Sequence, residues 1–213
     1  MTESVASYTP DVFTIAALYR FAPIDDVESV RSGLLATCEA NRVEGTLLVA
    51  TEGINGTIAG SSRASVQAVV EEIRALPGFG SLEPKWSEAS ERPFLRLKVK
   101  IKDEIVTLGA GTVDVTGRTA QHVPAEEWND LIDRPDVVVI DTRNDYEVAV
   151  GTFQDAVDPR TESFTEFPAW FAAQETLSPD TPIAMFCTGG IRCEKATAYL
   201  VERGCSSLCL REG

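Results

Sequence analysis

The sequence has little of three things that would point to particular classes of protein: histidine, cysteine and long hydrophobic runs. It contains one histidine, His122, and five scattered cysteines in 213 residues. This argues against a zinc site and against a disulfide-stapled secreted domain. No run approaches the about 20 apolar residues of a membrane span, and the N-terminus does not resemble a signal peptide. We therefore expect a cytoplasmic protein with reduced thiols, no bound metal and no membrane contact.

Positive charge is also scarce. Lysine and arginine number 19 against 33 aspartate and glutamate residues, which gives a formal net charge of -14 at pH 7. Such a surface repels nucleic acid overall, so any RNA contact must come from a local basic patch. A chain of 213 residues, 44% of them hydrophobic, is long enough for one large domain or two small ones.

The first half of the chain has the pattern of a ferredoxin-like domain. Signals for strand, helix, strand, strand, helix and strand follow one another, and this order is the split βαβ plan with one additional strand at its end. The first helix is predicted to be capped by Asp25 or Asp26, and the second by Ser61 or Ser62. The last two strands are predicted around residues 82–86 and 93–101.

The last strand of this half carries an alternating row of cations. Because side chains alternate between faces along a strand, this period of two places the cations on one face and the aliphatic residues on the other. The same pattern is common on a solvated sheet edge protected by lysines, so the sequence leaves both interpretations open. The candidate RNA-binding residues are the cations of this row, Arg96, Lys98, Lys100 and Lys102, together with Lys85 and Arg92, which are expected to lie close to it.

A glycine-rich stretch divides the chain. Residues 109–123 have no sustained periodicity, which favours a linker between a first domain at 1–108 and a second at 124–213. The lone His122 at its end is expected to be structural. Buried strands at 137–141 and 182–186 and a final strand at 207–210, with helices between them, predict an α/β domain with a central parallel sheet. An aromatic cluster is expected to pack in its core or lid: Phe164, Phe167, Trp170 and Phe171.

One loop carries the chemistry. The apolar run 182–186 leads into Cys187, two glycines follow, and a helix begins near residue 193. A thiol at a helix N-terminus lies among unpaired N–H groups and the positive end of the helix dipole, which lowers its pKa. Two glycines allow the N–H groups to point inward as an anion-binding nest, and Arg192 adds a positive charge. Cys187 and Arg192 are therefore the predicted catalytic residues. The rest of the loop comprises Thr188, Gly189, Gly190, Ile191 and Cys193.

These residues resemble the rhodanese family. The segment from Cys187 to Arg192 looks like a rhodanese active-site loop, and residues 141–147 are similar to the other rhodanese signature. In that signature an acid and an arginine, here Asp141 and Arg143, support the fold behind the loop. The match departs at Thr152, where rhodaneses usually have a histidine, so this position is not counted as functional. Tyrosine-phosphatase-like loops place their arginine one residue later, so a phosphatase or an arsenate reductase is not expected.

Over nearly the whole chain, the sequence resembles the oxygen-dependent tRNA uridine hydroxylases. Three motifs carry the resemblance, at residues 17–21, 52–57 and 187–195. The resemblance implies a ferredoxin-like domain joined to a rhodanese domain, 5-hydroxyuridine at the wobble position of tRNA as product, and molecular oxygen as co-substrate. It also implies that Cys187 is the essential cysteine, Arg192 its anion-stabilising neighbour and Cys193 a candidate second thiol.

The resemblance also sets out what else to expect. Family members usually continue into a C-terminal segment beyond the last strand, so we expect the second domain to be truncated at its C-terminus. No cofactor is recognisable in the sequence, and the expected partner is tRNA, bound through its anticodon region. No oligomeric state is indicated. The loop chemistry alone also fits a sulfurtransferase that carries sulfur as a Cys187 persulfide, and a binding module with an inert loop is a third alternative.

Overall fold

The computed structural model describes residues 12–115, 121–175, 177 and 180–210. The chain divides between Ile105 and Val106 into two compact units, called here the first unit and the second unit. Each unit contains its own β-sheet. Within the described residues, no helix is long and apolar enough to cross a membrane.

The first unit contains a five-stranded sheet and two helices. Its elements are β1 (Phe13–Phe21), α1 (Val27–Ala40), β2 (Glu44–Ala50), β3 (Gly53–Gly60), α2 (Arg63–Arg74), β4 (Lys85–Ala89) and β5 (Leu97–Ile101). The strand order is β4-β1-β3-β2-β5, in which the first four strands are antiparallel and β5 runs parallel to β2. The predicted ferredoxin-like plan with one extra strand is therefore confirmed.

Both helices of the first unit begin at side-chain caps. Asp26 caps α1 by accepting a hydrogen bond from the Ser29 N–H at 3.0 Å, and Ser62 caps α2 by accepting one from the Ser65 N–H at 3.2 Å. Each such cap stabilises its helix by about 1 kcal/mol. The apolar stripe of α2 is fully buried in the core of this unit, as its spacing predicts.

The last two strands of the first unit begin later than predicted, and the second of them is also shorter. β4 begins at Lys85, because Leu82 closes a turn in which its N–H donates to the Phe79 carbonyl at 2.9 Å. The Leu82 side chain is nevertheless in the core, which explains its strand-like pattern. β5 begins at Leu97, four residues after the start expected at Pro93.

The second unit is an α/β unit around a parallel sheet. Its elements are β6 (Gln121–Val123), α3 (Ala125–Ile132), β7 (Val138–Asp141), α4 (Asp145–Val148), a 3₁₀ turn (Phe164–Glu166), α5 (Phe167–Ala172), β8 (Ile183–Phe186), α6 (Ile191–Glu202) and β9 (Ser207–Leu210). The strand order is β6-β9-β8-β7, and each neighbouring pair is parallel. The central parallel sheet is confirmed. In the aromatic cluster, Phe164 and Phe167 are buried.

The predicted linker, residues 109–123, differs in the structure. Its last residues form β6, which pairs with β9 at an edge of the second sheet. Val113 and Val115 are buried, and both lie on the second side of the boundary between units. Residues 116–120 of the predicted linker lie outside the described residues. Gly109 and Gly111, the described glycines of the predicted linker, therefore belong to the second unit.

The parallel sheet brings two functional segments to one edge. β7 and β8 are neighbours, and Asp141 at the end of β7 is in register with Phe186 at the end of β8. Because the carboxyl ends of parallel strands meet at the same edge, the segments that follow them converge there. These are the rhodanese-like segment after Asp141 and the cysteine loop after Phe186.

Candidate active site

The loop between β8 and α6 presents Cys187 to the start of a helix. Cys187 follows the last residue of β8, and Gly190 precedes Ile191, the first residue of α6. Gly190 has a φ of 90°, in the region that favours glycine. Gly189 has no such φ, and a Cβ atom there would meet no atom within 4 Å. The reversal therefore requires glycine at one of the two positions of the motif, not at both.

Hydrogen-bond donors surround the Cys187 sulfur. The Cys193 thiol is the largest influence on the pKa of Cys187, and it acts by donating a hydrogen bond to the sulfur. The N–H of Gly190 donates to Sγ at 3.0 Å, and the N–H groups of Gly189 and Cys193 and the charge of Arg192 act in the same direction. Together they outweigh burial, which opposes them, and lower the pKa of Cys187 to about 5. At neutral pH Cys187 is a thiolate, the nucleophilic form of cysteine.

This pKa makes a prediction about alkylation. The rate at which iodoacetamide modifies Cys187 is expected to reach half its plateau near pH 5, not near 9.0, the ordinary pKa of cysteine. The Cys193→Ala variant loses the strongest donor, worth about 1.5–3 kcal/mol for a charged acceptor, so its midpoint is expected to rise by about one to two pH units. Peptide mass spectrometry of quenched time points measures the rate. The control is Cys205→Ala, at a partly exposed thiol. A wild-type midpoint near pH 9 would contradict the thiolate assignment.

Arg192 forms an ion pair with Glu147, an acid that is not among the predicted site residues. The two Nη atoms of Arg192 donate to the Glu147 carboxylate at 2.6 and 2.8 Å, and the Thr188 hydroxyl donates to the same carboxylate. The hydrogen bond from Arg192 is the main reason that the pKa of Glu147 is lowered to about 2, against the effect of burial. Arg192 also hydrogen-bonds to Cys187, so its charge is shared between the carboxylate and the thiolate. Glu147 is the last residue of the rhodanese-like segment 141–147, and this position is the sequence signal that could have identified it as a site residue.

A second ion pair lies at the end of β7. The fully buried Asp141 carboxylate accepts hydrogen bonds from Arg143 Nε at 2.9 Å and Arg143 Nη2 at 2.7 Å. Arg143 Nη2 also donates to the Gly151 carbonyl at 2.6 Å, and Thr152 Oγ1 donates to Asp141 at 2.8 Å. The network ties residues 151–152 to the end of the strand. Thr152, at the position where this chain departs from the rhodanese signature, is therefore part of this network.

A cavity lies beside Cys187. It measures about 460 Å³, within the range of about 300–1,000 Å³ that is typical of small-molecule sites. Cys187 is 2% exposed yet lines this cavity. Phe153 and Phe186 also line it, with ring centroids 4.8 Å apart and planes at 86°. The cavity thus combines an anionic sulfur with aromatic surface, which suits a flat unsaturated ring. The other lining residues are Arg143, Gly151, Thr152, Thr188 and Leu210.

Behind Cys187 lie two further cysteines and the histidine. Cys193 is fully buried, hydrogen-bonds to Cys187 and to Cys209, and has its Sγ 3.3 Å from Thr142 Oγ1. Cys209 of β9 is in register with His122 of β6 and hydrogen-bonds to it. Cys187, Cys193, Cys209 and His122 are called here the thiol cluster. The sequence assigned Cys209 and His122 no role, because their contact depends on the pairing of β6 with β9.

The members of the thiol cluster differ in how readily they ionise. Burial, more than any neighbour, raises the pKa of Cys193 well above its ordinary value. The contact with the Cys193 sulfur, and after it the hydrogen bond from His122, outweighs burial at Cys209 and lowers the pKa of Cys209. Cys193 is therefore a protonated thiol beside the Cys187 thiolate. In the part of the chain that the structure describes, no group of three or more His, Cys, Asp and Glu side chains is arranged to hold a metal ion.

The six candidate RNA-binding residues do not form one group. Lys98 and Lys100, called here the β5 row, lie on β5 and alternate with Val99, which is 6% exposed and packs in the core. Lys85 lies on β4, at the opposite edge of the five-stranded sheet, so its expected position close to the β5 row is wrong. Arg92 forms an ion pair with Glu44 through Nη2, and its Nε donates to the same carboxylate at 2.7 Å. Arg96 and Lys102 flank β5 in the sequence, and both are exposed.

The fold and the loop together define a class. A cysteine thiolate held by backbone N–H groups between a parallel strand and a helix is the active-site arrangement of a rhodanese-like domain, here preceded by a ferredoxin-like domain. Family models agree: residues 13–105 match the UPF0176 acylphosphatase like domain, and residues 124–213 match the rhodanese-like domain.

The relatives found by comparison are hydroxylases. The chain is 52% identical over 207 residues to the tRNA uridine(34) hydroxylase of Agrobacterium fabrum, an alignment that covers 96% of this chain and 66% of that protein. It is 50% identical over 204 residues to the protein of the same name from Rhizobium leguminosarum bv. trifolii, covering 96% of this chain and 65% of the relative. The corresponding protein of Jannaschia sp. is 53% identical over 193 residues, covering 91% and 64%. This chain belongs to their family, and it spans about two thirds of their length.

Proposed function

We propose that this chain carries the catalytic thiol of a tRNA hydroxylase, which converts the wobble uridine of tRNA to 5-hydroxyuridine with molecular oxygen as co-substrate. The observation that carries the proposal is the identity of about half of all aligned residues, over 96% of the chain, with proteins named tRNA uridine(34) hydroxylase. The proposed site of action is the cytoplasm, where tRNA is modified.

The geometry of the candidate site supports this proposal. The cavity of about 460 Å³ has room for a nucleobase, and the partly exposed Phe153 in its lining offers aromatic surface against which a base can stack. The Cys187 thiolate lies in the cavity wall. A base must leave its stack to enter such a cavity, and the first base of an anticodon does so at little cost because it lies in a single-stranded loop.

Nucleoside mass spectrometry tests the proposed function. Cells that lack the gene are complemented with the full-length gene, and their tRNA is digested to nucleosides. We expect 5-hydroxyuridine, or nucleosides made from it, to disappear in the deletion and to return on complementation. Undiminished 5-hydroxyuridine in the deletion would overturn the proposal, provided that no second gene of the same family is present.

A sulfurtransferase is the second candidate, because the same backbone N–H groups that favour a thiolate also favour a persulfide anion on Cys187. The Gly190 N–H at 3.0 Å from Sγ is the observation in its favour. Incubation with thiosulfate, followed by intact-mass measurement, separates the two candidates. A stable gain of one sulfur atom on Cys187, with hydroxylation absent, would favour the sulfurtransferase.

The β5 row predicts an interaction with the tRNA backbone. Within the described residues, neither Lys98 nor Lys100 forms an ion pair, so both charges can meet phosphate. Lys98→Glu combined with Lys100→Glu is expected to weaken tRNA binding and to lower the slope of log K against log salt by about 2, one for each phosphate that is no longer neutralised.

Filter binding or fluorescence anisotropy across a salt series measures this effect. Lys85→Glu is the matched control, because Lys85 lies at the other edge of the sheet, and it is expected to change the slope less than either β5 variant alone. Unchanged tRNA binding by the double variant would show that the β5 row does not contact tRNA and would favour the other interpretation, that these lysines protect an exposed sheet edge.

A further inference from the structure

The proposed hydroxylation leaves an electron requirement to be met. Inserting one atom of dioxygen into the C5–H bond of uridine reduces the other atom to water, which takes two electrons. Two cysteine thiols that close to a disulfide release two electrons. Two cysteines of the thiol cluster can therefore supply the two electrons that one turnover needs.

Cys193 is positioned to react with Cys187. It lies in the first turn of α6, and its thiol is in hydrogen-bond contact with the Cys187 sulfur. Thr142 Oγ1 lies 3.3 Å from the Cys193 sulfur, and Cys209 contacts it from β9. Contacts with three different segments, the ends of β7 and β8 and the strand β9, hold the Cys193 side chain beside Cys187.

The exposure of the two thiols assigns them different tasks. Cys187 lines the cavity, whereas Cys193 and Cys209 are each 0% exposed. An oxidant or a substrate in the cavity meets Cys187, and Cys193 is reached through Cys187. The pair also begins in the right protonation state, with one thiolate and one thiol.

We propose that Cys193 is a catalytic residue, the second thiol of an internal dithiol that supplies the two electrons of hydroxylation; this rests on the proposed function. In the balanced step, uridine, dioxygen, the Cys187 thiolate, the Cys193 thiol and one proton give 5-hydroxyuridine, a Cys187–Cys193 disulfide and water. The C5–H, O–O and S–H bonds break, and the C5–O and S–S bonds form. The released protons enter the hydroxyl group and water. A small-molecule or protein dithiol then reduces the disulfide through the cavity, where Cys187 is reached first.

Trypsin makes the predicted disulfide easy to identify. Cleavage after Arg192 separates Cys187, in peptide 161–192, from Cys193, in the tripeptide 193–195, while Cys205 and Cys209 share peptide 204–211. Each pairing of the thiol cluster therefore gives a linked product of distinct mass. Reduced full-length protein is allowed one turnover on tRNA in oxygenated buffer without added reductant, alkylated and digested. We expect peptide 161–192 linked to 193–195, and one disulfide for each 5-hydroxyuridine formed.

A pH series separates this role from a merely structural one. Cys193→Ser also replaces the thiol that donates to Cys187 by a hydroxyl on a shorter bond, which alters the hydrogen bond that keeps Cys187 ionised, so its activity at neutral pH is expected to fall for two reasons. At pH 10 Cys187 is a thiolate in the variant as well. We expect Cys193→Ser to remain at least about a hundredfold below wild type there, because the second thiol is still missing. Cys205→Ser is expected to match wild type at both pH values. Recovery of Cys193→Ser at pH 10 would overturn the inference.

The outcomes also distinguish this inference from the proposed function. 5-Hydroxyuridine formed while both thiols stay reduced would overturn the dithiol and leave the hydroxylase standing. A disulfide between Cys193 and Cys209, with Cys187 free, would overturn the pairing. If no 5-hydroxyuridine forms at all, the proposed function fails, and the role of Cys193 as its reductant fails with it.

Discussion

Replacing Cys187 by serine is expected to reduce 5-hydroxyuridine to background in complemented cells, a loss of at least about a thousandfold in rate. The physical reason is ionisation. The donors around Sγ lower the pKa of the thiol to about 5, whereas a serine hydroxyl starts from a far higher pKa and stays protonated at neutral pH. A serine also cannot form the disulfide proposed with Cys193.

The serine variant is expected to fold. The change replaces one atom, and the Gly190 N–H that lies 3.0 Å from Sγ can donate to a hydroxyl oxygen instead. Thermal unfolding of the purified variant checks this, and Cys205→Ser serves as the control for loss of a thiol elsewhere in the second unit. Full hydroxylation by Cys187→Ser would refute the role of this cysteine.

The largest effect on stability is expected at Asp141. Its carboxylate is 0% exposed and accepts hydrogen bonds from Nε and Nη2 of Arg143, whose side chain is 17% exposed. Asp141→Ala leaves that guanidinium without its carboxylate and the Thr152 hydroxyl without its acceptor. Loss of one partner of a buried ion pair costs about 3–5 kcal/mol, a large part of the about 5–15 kcal/mol by which a domain is stable.

Urea unfolding, followed by a probe in the second unit, measures this cost. The matched control is Asp136→Ala, since Asp136 pairs with Arg134 at 2.7 Å but both side chains are more than half exposed, at 57% and 53%. A solvent-exposed ion pair contributes little to stability, so this variant should unfold at nearly the wild-type urea concentration. Equal losses of unfolding free energy in the two variants would show that the Asp141–Arg143 ion pair at the end of β7 does not stabilise the second unit.

Local pattern predicted much of this molecule. The continuous apolar runs at 137–141 and 182–186 predicted neighbouring parallel strands, because strands covered on both faces have no polar side to alternate with. The period of two at Lys98, Val99 and Lys100 predicted which side chains leave the core of the first unit. The position of Cys187 between a strand and a helix predicted an acidic thiol from the geometry of helix ends alone.

Contacts between distant segments could not be predicted in the same way. Glu147 meets Arg192 across 45 residues, and Cys209 meets Cys193 and His122 because β9 lies between β6 and β8. Likewise, Lys85 and Lys98 carry the same charge on strands of the same sheet, but the strand order sends them to opposite edges. Strand order is a property of the whole fold, and no short stretch of sequence encodes it.

The place of β9 in the second sheet has a consequence for the order of events during synthesis. β9 comprises residues 207–210, yet it pairs with β6, formed by residues 121–123, and with β8. A ribosome must therefore complete almost ninety residues after β6 before that strand gains its neighbour in the described sheet. The first unit, whose strands end at Ile101, can fold well before then, since domains fold as units in the order of their synthesis. The thiol cluster is completed at the same point as the sheet, when Cys209 of β9 arrives, so the nascent chain carries Cys187 and Cys193 for a time without the strand that packs against them.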